Sequence, residues 1–399
     1  MGAAGSGSLA ALRLTNRHRV VEALRRHGSV SRADLARITG LSHTTVSSLV
    51  AELANRGLLA EQPVGGQRAG TGRPPVLLSL AAPAGSAIGV DFGHQHLRVA
   101  VADLSSTVLV ERSVELDVDH EATAALAAAA RLVDQVLAEA GVDRAGVLGI
   151  GMGLPGPVED ATGTIGSSVI MPSWAGLAPA AEFERQVGLP VALDNDANLG
   201  ALGEVTFGAG RGLSDVVYVK VSAGIGAGLI LGGRLYRGST GIAGEIGHVQ
   251  IREDGAVCRC GSRGCLETIV SAPKLVEQLQ PAHTDRLTVA SMLERAARGD
   301  AGARRVVADA GRTIGRVLAD LCNHLNPAGI IVGGELSTAG DLLIDRVREA
   351  VDRHAQPGAA AGVRIMAGSL GERAQVLGAL ALVVADTARF PGTQAAAVP

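Results

Sequence analysis

The chain has 399 residues, enough for two or three domains; small aliphatic residues dominate it and aromatic residues make up only 2%. No apolar stretch of about 18 residues is free of charge, which excludes a membrane-spanning helix. The formal net charge is only −3, but it is unevenly distributed.

The basic residues are concentrated near the N-terminus. Residues 11–75 contain ten arginines and four acidic residues, a net charge of +6, so the rest of the chain carries −9. A basic N-terminal head on an acidic body suggests that the head binds a polyanion. Helices exposed to solvent are often basic too, so the charge alone does not establish this. The motifs within the head must therefore decide between these interpretations.

Three short amphipathic helices are predicted after a flexible segment 1–14. The first ends at Gly28 and places three apolar residues on one face: Val20, Val21 and Leu24. Ser31 is a plausible N-cap of the second helix, which carries Leu35 and Ile38 and ends at Gly40, where a left-handed turn is needed. The third helix follows a tight turn and has apolar residues at the spacing i, i+3, i+4, i+7: Val46, Leu49, Val50 and Leu53. This arrangement predicts a helix-turn-helix.

The third helix carries small or polar residues on its other face. We predict that six of them contact DNA: Ser42, His43, Thr44, Thr45, Ser47 and Ser48. Side chains of this kind let a helix enter a major groove about 12 Å wide and contact base edges and phosphates.

A hairpin wing with a glycine-rich tip is predicted next, completing a DNA-binding domain over residues 15–80. Arg73 lies in this tip between Gly72 and Pro74, an extended segment that can place an arginine in a narrow minor groove. A plain interdomain linker is the alternative for this segment.

The body begins near residue 85 and shows two cycles of three strands followed by alternating helices and strands. The first cycle predicts strands within 87–114, a helix over 121–140 and buried strands at 147–153 and 191–194. The second begins at 215 and includes predicted helices at 286–299 and 303–325 and a strand at 329–332. This repetition predicts an α/β body of two related lobes around a cleft, over residues 85–195 and 196–385, and a disordered tail over 386–399.

A zinc site is predicted in the second lobe. His248 precedes three closely spaced cysteines, Cys258, Cys260 and Cys265, and a Cys3His set suits tetrahedral zinc. Glycines between the last two cysteines let the loop turn back on itself. We expect one structural zinc per chain and a reducing, cytoplasmic location. A reduced surface loop or a disulfide is the alternative, and the disulfide is the weaker because nothing here indicates secretion.

Taken together, these motifs resemble the ROK family, named for repressors, open reading frames and sugar kinases. The resemblance covers residues 15–385 and rests on five motifs in order: Gly-Leu-Pro-Gly-Pro (153–157), Asp-Asn-Asp-Ala-Asn (194–198), the glycine loop 224–228, Gly-Glu-Ile-Gly-His (244–248) and the cysteine run ending at Glu267. It implies a winged helix-turn-helix followed by an actin-like, hexokinase-like fold, and the N-terminal head is similar to that of the repressor branch.

The resemblance also implies a hexose site. Family members bind the sugar through residues that match Asn195, Asp196, Glu245, His248 and Glu267, and Asp196 matches the general base of the kinases. Carboxylates, an amide and an imidazole discriminate sugar epimers because a mismatched hydroxyl leaves a polar group unpaired. Helix capping is the alternative role for Asp194 and Asp196.

Two departures from the family pattern stand out, the first in the phosphate-binding loops and the second beside the sugar site. The phosphate-binding turn reads Asp-Phe-Gly-His-Gln-His over 91–96 instead of Asp-x-Gly-Gly-Thr-Lys, and Ala223 replaces a threonine in the second loop. The asparagine usually found before the tryptophan matching Trp174 is missing, so one sugar contact is expected to differ.

We therefore predict a non-enzymatic, sugar-responsive repressor that binds operator DNA as a homodimer or homotetramer, with a sugar or sugar phosphate as its ligand and no membrane partner. An active hexose kinase with a regulatory head is the main alternative. A sugar-responsive activator, or a regulator acting through a protein partner, is a further one.

Overall fold

The computed structural model describes residues 16–17, 19–21, 23–24, 28–55, 59–63, 76–80, 85–104, 107–159, 163–164 and 171–385. The predicted flexible segment 1–14, the wing tip with Arg73 and the predicted tail 386–399 lie outside these residues. Within them, no helix is long and apolar enough to cross a membrane.

The N-terminal head is a winged helix-turn-helix, as predicted. The described residues between 16 and 24 are helical, and two helices follow: α1 (Arg32–Thr39) and α2 (His43–Asn55). Three antiparallel strands in the order β1-β3-β2 form the wing: β1 (Val30–Ser31), β2 (Leu59–Pro63) and β3 (Val76–Leu80).

The predicted helix signals act as expected in this head. The Ser31 side chain accepts a hydrogen bond from the backbone of Asp34 and caps α1, and Gly40 ends α1 in the left-handed conformation. The apolar faces of the helices pack into a small core that also contains Leu78 of β3.

The first lobe is built on a five-stranded sheet in the order β6-β5-β4-β7-β8. The first three strands along the chain pair antiparallel, and the last two join in parallel. The strands are β4 (Ser86–Phe92), β5 (His96–Asp103), β6 (Val108–Glu115), β7 (Val147–Leu154) and β8 (Val191–Asn195). Helices α3 (Ala122–Ala140) and α4 (Pro179–Val187) bury their apolar residues against one face of this sheet.

The second lobe repeats this topology in the order β11-β10-β9-β12-β13. Its strands are β9 (Val216–Val221), β10 (Ile225–Leu231), β11 (Arg234–Tyr236), β12 (Gly329–Gly333) and β13 (Arg364–Ala367). Its helices are α6 (Leu266–Val270), α7 (Ala272–Leu279), α8 (Val289–Ala297), α9 (Ala301–Leu325), α10 (Asp341–His354) and α11 (Pro357–Gly362). Each sheet therefore has two antiparallel pairings followed by two parallel ones. This shared topology gives the two related α/β lobes that the sequence predicted.

Two helices, α5 (Asp196–Phe207) and α12 (Ala374–Ala385), form a layer that joins the lobes. Ala201 of α5 packs on the second sheet, whereas α12 packs on the first sheet and on α5. Gly151 and Gly378 permit this approach, because a Cβ at either position would overlap a backbone carbonyl, of Ala379 and Leu199 respectively. The sequence predicts that the body divides at 195/196, with everything after this point in the second lobe. In the structure the C-terminal helix α12 instead packs on the first sheet.

Candidate functional site

The predicted DNA-contacting residues lie along one side of α2. Ser42, His43, Thr44, Ser47 and Ser48 are exposed and Thr45 is partly exposed, while the apolar residues of this helix are buried. The Ser42 hydroxyl accepts a hydrogen bond from the Thr45 backbone at 3.1 Å and lies 2.8 Å from the Thr45 hydroxyl. Ser42 therefore also caps the helix, and the first turn of the helix carries no acidic residue that would repel a phosphate.

A pocket in the cleft between the lobes brings together all five residues predicted to bind a sugar. Asn195, Asp196, Glu245, His248 and Glu267 line a space of about 500 Å³, counting the part open to solvent. Further lining residues include three basic ones that sequence reasoning did not select: His94, Lys220 and Arg259.

Asn195 lies where β8 ends and α5 begins. Its side-chain oxygen caps α5 by accepting hydrogen bonds from the backbone of Ala197 at 2.8 Å and Asn198 at 3.3 Å. Its amide nitrogen donates to the Gly156 carbonyl at 2.8 Å, which ties the helix start to the 153–157 motif. The amide oxygen is thus engaged, and the remaining N–H is what Asn195 can offer to a ligand.

Asp194 and Asp196, one residue either side of Asn195, have different roles. Asp194 is buried and accepts hydrogen bonds from Arg237 Nε at 2.9 Å and from Asn198 at 2.8 Å. Asp196 faces the pocket and accepts a hydrogen bond from Lys220 Nζ at 2.6 Å. Asp194 is therefore structural, while Asp196 is available from the pocket with one oxygen already paired.

Two glutamates also line the pocket. Glu267 accepts hydrogen bonds from Arg259 Nε at 2.9 Å and from the Ile225 backbone at 3.0 Å, which holds its carboxylate in place. Glu245 Oε2 lies 3.7 Å from His248 Nε2. Burial, and then the charges of Asp196 and Glu267, raise the pKa of Glu245 to about 7, against the opposing effect of Arg259.

The predicted metal ligands form a compact cluster. The donor atoms of His248, Cys258, Cys260 and Cys265 lie within 4.8 Å of one another, a set that could hold a metal ion. Cys260 Sγ lies 3.7 Å from Cys265 Sγ, and Cys258 Sγ lies 3.6 Å from His248 Nδ1. Ligands about 2.3 Å from a tetrahedral centre are about 3.8 Å apart, so the spacing fits a shared ion. All four cysteines of the chain are free, which argues against the disulfide alternative.

Local backbone geometry builds this cluster. Gly264 has a φ of 59° and lies so close to the Arg252 carbonyl that a Cβ would overlap it, so the loop turns only with glycine there. Cys265 then begins α6, which carries Glu267 into the pocket. His248 connects the two sites, because its Nδ1 faces the cluster and its Nε2 faces Glu245.

The segment 91–96, which departs from the kinase turn, is held by its own histidines. His96 Nε2 lies 3.1 Å from Asp91 Oδ2, and His94 Nδ1 lies 2.9 Å from Asp119. Gly93 packs against the His96 ring. Trp174 is fully buried, stacks edge-on to Phe92 and donates its indole N–H to the Val118 carbonyl at 2.7 Å, so it supports the first sheet.

Comparison with known proteins extends over both parts of the chain. The sequence profile of the ROK family matches residues 87–386, and that of the MarR family matches residues 14–69. A xylose repressor from Caldicellulosiruptor bescii is 30% identical over 400 residues, which cover 96% of this chain and 99% of that protein.

Two solved structures share this fold, one over nearly the whole chain and the other over three quarters of it. A ROK family transcriptional regulator, described as a homologue of the Escherichia coli Mlc protein, superimposes with a TM-score of 0.80 at 27% identity, over 95% of this chain and 98% of that one. A ROK glucokinase from Streptomyces griseus, in complex with glucose and AMPPNP, has a TM-score of 0.65 at 30% identity and covers 75% of this chain and 99% of its own.

Proposed function

Because this chain belongs to the ROK family and carries a winged helix-turn-helix, we propose that it is a sugar-responsive transcriptional repressor. The head binds operator DNA, and a sugar bound in the cleft releases it. One observation carries the proposal: the five residues expected to bind a sugar line a single pocket in a chain that also exposes a polar helix for DNA. The similarity to a xylose repressor over nearly the whole chain supports it.

The pocket chemistry suits a sugar. Glu245 and the open oxygen of Asp196 accept hydrogen bonds from hydroxyl groups, while the spare N–H of Asn195 and the Arg259 guanidinium donate them. Groups already held by partners are preorganised, so little conformational entropy is lost when a ligand binds. A sugar that lacks a hydroxyl at the matching position would leave one of these groups unpaired.

The Cys3His cluster is proposed to hold one structural zinc through His248, Cys258, Cys260 and Cys265. The donor set is the one zinc prefers, and the free thiols favour a reducing compartment such as the cytoplasm. Bound zinc would supply structural cross-linking of the loop rather than catalysis, because all four positions of its tetrahedron are taken by protein. The cluster thereby orients His248 and the start of α6 toward the pocket.

For DNA binding, we propose that α2 enters the major groove. Two heads of a homodimer, or of a dimer within a tetramer, are proposed to bind the two halves of an inverted repeat. The head is proposed to span 15–80, with lobes over 85–195 and 196–385, and Arg73 is proposed to reach the minor groove. A sugar lowers operator affinity only to the extent that it binds the DNA-free conformation more tightly than the DNA-bound one.

Replacing Thr44 by alanine is expected to weaken operator binding about 5- to 30-fold, because an exposed hydroxyl facing base edges or phosphates is lost. Fluorescence anisotropy with duplexes from upstream of the gene measures this change. Thr313→Ala, on α9 of the second lobe, is the matched control and should bind DNA as the unmodified protein does. Equal affinity of the two variants would remove α2 from the interface.

The second candidate function is an active hexose kinase, favoured by the glucokinase similarity and by the presence of Asp196. We expect no ATP-dependent phosphorylation of a hexose panel, because the turn 91–96 and Ala223 have lost donor groups that hold phosphates. Turnover that disappears in Asp196→Asn would establish the kinase instead. An activator would be recognised by a footprint upstream of the promoter rather than overlapping it.

A further inference from the structure

Lys220 is an exceptional residue in this chain. Only two of the 36 basic residues are lysines, Lys220 and Lys274, and the others are arginines. Lys274 lies on the surface and pairs with Glu277 three residues away. Lys220 instead lies near the end of β9 in the cleft, with a side chain only 16% exposed. The compact ammonium of a lysine fits this position, whereas the planar guanidinium of an arginine would need more room and two acceptors placed side by side.

Acidic residues of three different elements act electrostatically on Lys220, and one of them, Asp196, contacts it. Asp196, at the start of α5, accepts its hydrogen bond at 2.6 Å. Glu335 comes from the second sheet, two residues after Gly333, which pairs with Lys220 in the parallel ladder, and its backbone N–H donates to Ser222 at 3.1 Å. Asp91 lies at the end of β4 in the first lobe.

The balance of charge keeps Lys220 protonated. Burial acts to lower the pKa of Lys220, but the carboxylates of Asp196 and Asp91, and more weakly Glu335, outweigh it, so the pKa lies above its ordinary value. His96 shares Asp91, at 3.1 Å from its Oδ2. Without the ammonium, the Asp196 carboxylate would lose its ion-pair partner in the pocket.

We propose that the Lys220 ammonium is the resident cation of this carboxylate group, and that it lets the pocket bind its sugar without a nucleotide or a divalent cation. The second half of this proposal rests on the proposed sugar-binding function.

The test compares thermal unfolding of the full chain with that of Lys220→Met and of Lys274→Met, each with and without millimolar MgCl2. Lys220→Met is expected to unfold about 5 °C lower or more, because a buried ion pair loses one partner. MgCl2 should recover about half or more of that loss, since the exposed carboxylates then bind the added cation. The unmodified protein and Lys274→Met should have the same unfolding temperature, and MgCl2 should not change it.

A Lys220→Met variant that is as stable as Lys274→Met, or that MgCl2 does not stabilise, would overturn the resident-cation role. If Lys220→Met does not fold, Lys220→Met with Asp196→Asn should fold, since the unpaired charge is removed with its partner; failure of the double variant would also overturn it.

A third arm separates this proposal from the proposed function. A panel of monosaccharides and their phosphates is added to the unmodified protein in buffer free of nucleotide and magnesium, and a stabilising sugar is expected. A sugar that stabilises only with magnesium and ATP would overturn metal-independent binding. If no sugar stabilises the protein under either condition, sugar sensing fails, while the stability of Lys220→Met still decides the role of Lys220.

Discussion

Replacing Cys265 by serine is expected to remove the bound zinc and to lower the unfolding temperature by about 10 °C or more. Structural zinc contributes on the order of 10 kcal/mol in small zinc-binding peptides, and even a fraction of that is large for one domain. Cys265 is fully buried at the start of α6, so its loss affects both the cluster and the helix that carries Glu267. Metal analysis of the purified protein, together with thermal unfolding, measures both effects.

Cys322→Ala is the matched control for this substitution. Cys322 is also fully buried, in the core of the second lobe rather than in the cluster. Its replacement should cost some stability through lost packing, but one zinc per chain should remain. A Cys265→Ser protein that still carries one zinc per chain would show that the Cys3His cluster is not the metal site.

Replacing Glu245 by alanine is expected to weaken sugar binding about 10- to 100-fold and thereby to abolish release from DNA, while operator binding without sugar stays normal. Asp196 and Glu267 already have Lys220 and Arg259 as partners, whereas Glu245 lies beside His248 with a carboxyl group open to a ligand. Its loss should therefore remove a hydrogen bond that no neighbour replaces. Operator binding measured across a titration of the sugar found in the thermal screen tests this result.

Glu277→Ala provides the control, because Glu277 is an exposed surface residue that pairs with Lys274 and does not line the pocket. It should respond to the sugar like the unmodified protein. Normal release of DNA by Glu245→Ala at ordinary sugar concentrations would place the effector outside this pocket. Loss of operator binding even without sugar would instead mean that the substitution disturbs the fold.

His248 links these two predictions. Its ring lies between Cys258 and Glu245, so a change in the metal cluster reaches the pocket through this side chain as well as through the helix that carries Glu267. We therefore expect Cys265→Ser to weaken sugar binding as well as to destabilise the body. Glu245→Ala, by contrast, should leave the zinc content unchanged, which separates the two sites experimentally.

Much of the fold could be predicted because its signals are local. Ser31 and Gly40 bound a helix of the head as their capping chemistry requires. The strands of the body follow their apolar runs to within a few residues, and the repeated order of strands and helices reveals two similar lobes. Cysteines and a histidine within a short span predict a cluster because so little chain separates them.

Other features depend on residues that are distant in sequence. No local signal marks a partner for Lys220, yet it pairs with Asp196, which lies 24 residues away along the chain and on a different element. The Asn195 amide nitrogen likewise donates to the Gly156 carbonyl, 39 residues away along the chain, which leaves one N–H for a ligand. No local pattern predicts either result, because each depends on which elements lie opposite one another after folding.

The sequence by itself determined the winged head, the two-lobed body and the group of residues able to hold a metal, since turns, caps, periodicity and close spacing act over a few residues. Only the tertiary structure decided that α12 returns to the first sheet and that five separated polar residues share one pocket. It also decided which carboxylates form ion pairs in the pocket, as Asp196 does with Lys220. These outcomes depend on close packing and on electrostatic pairing between distant segments, which are established only when the lobes assemble.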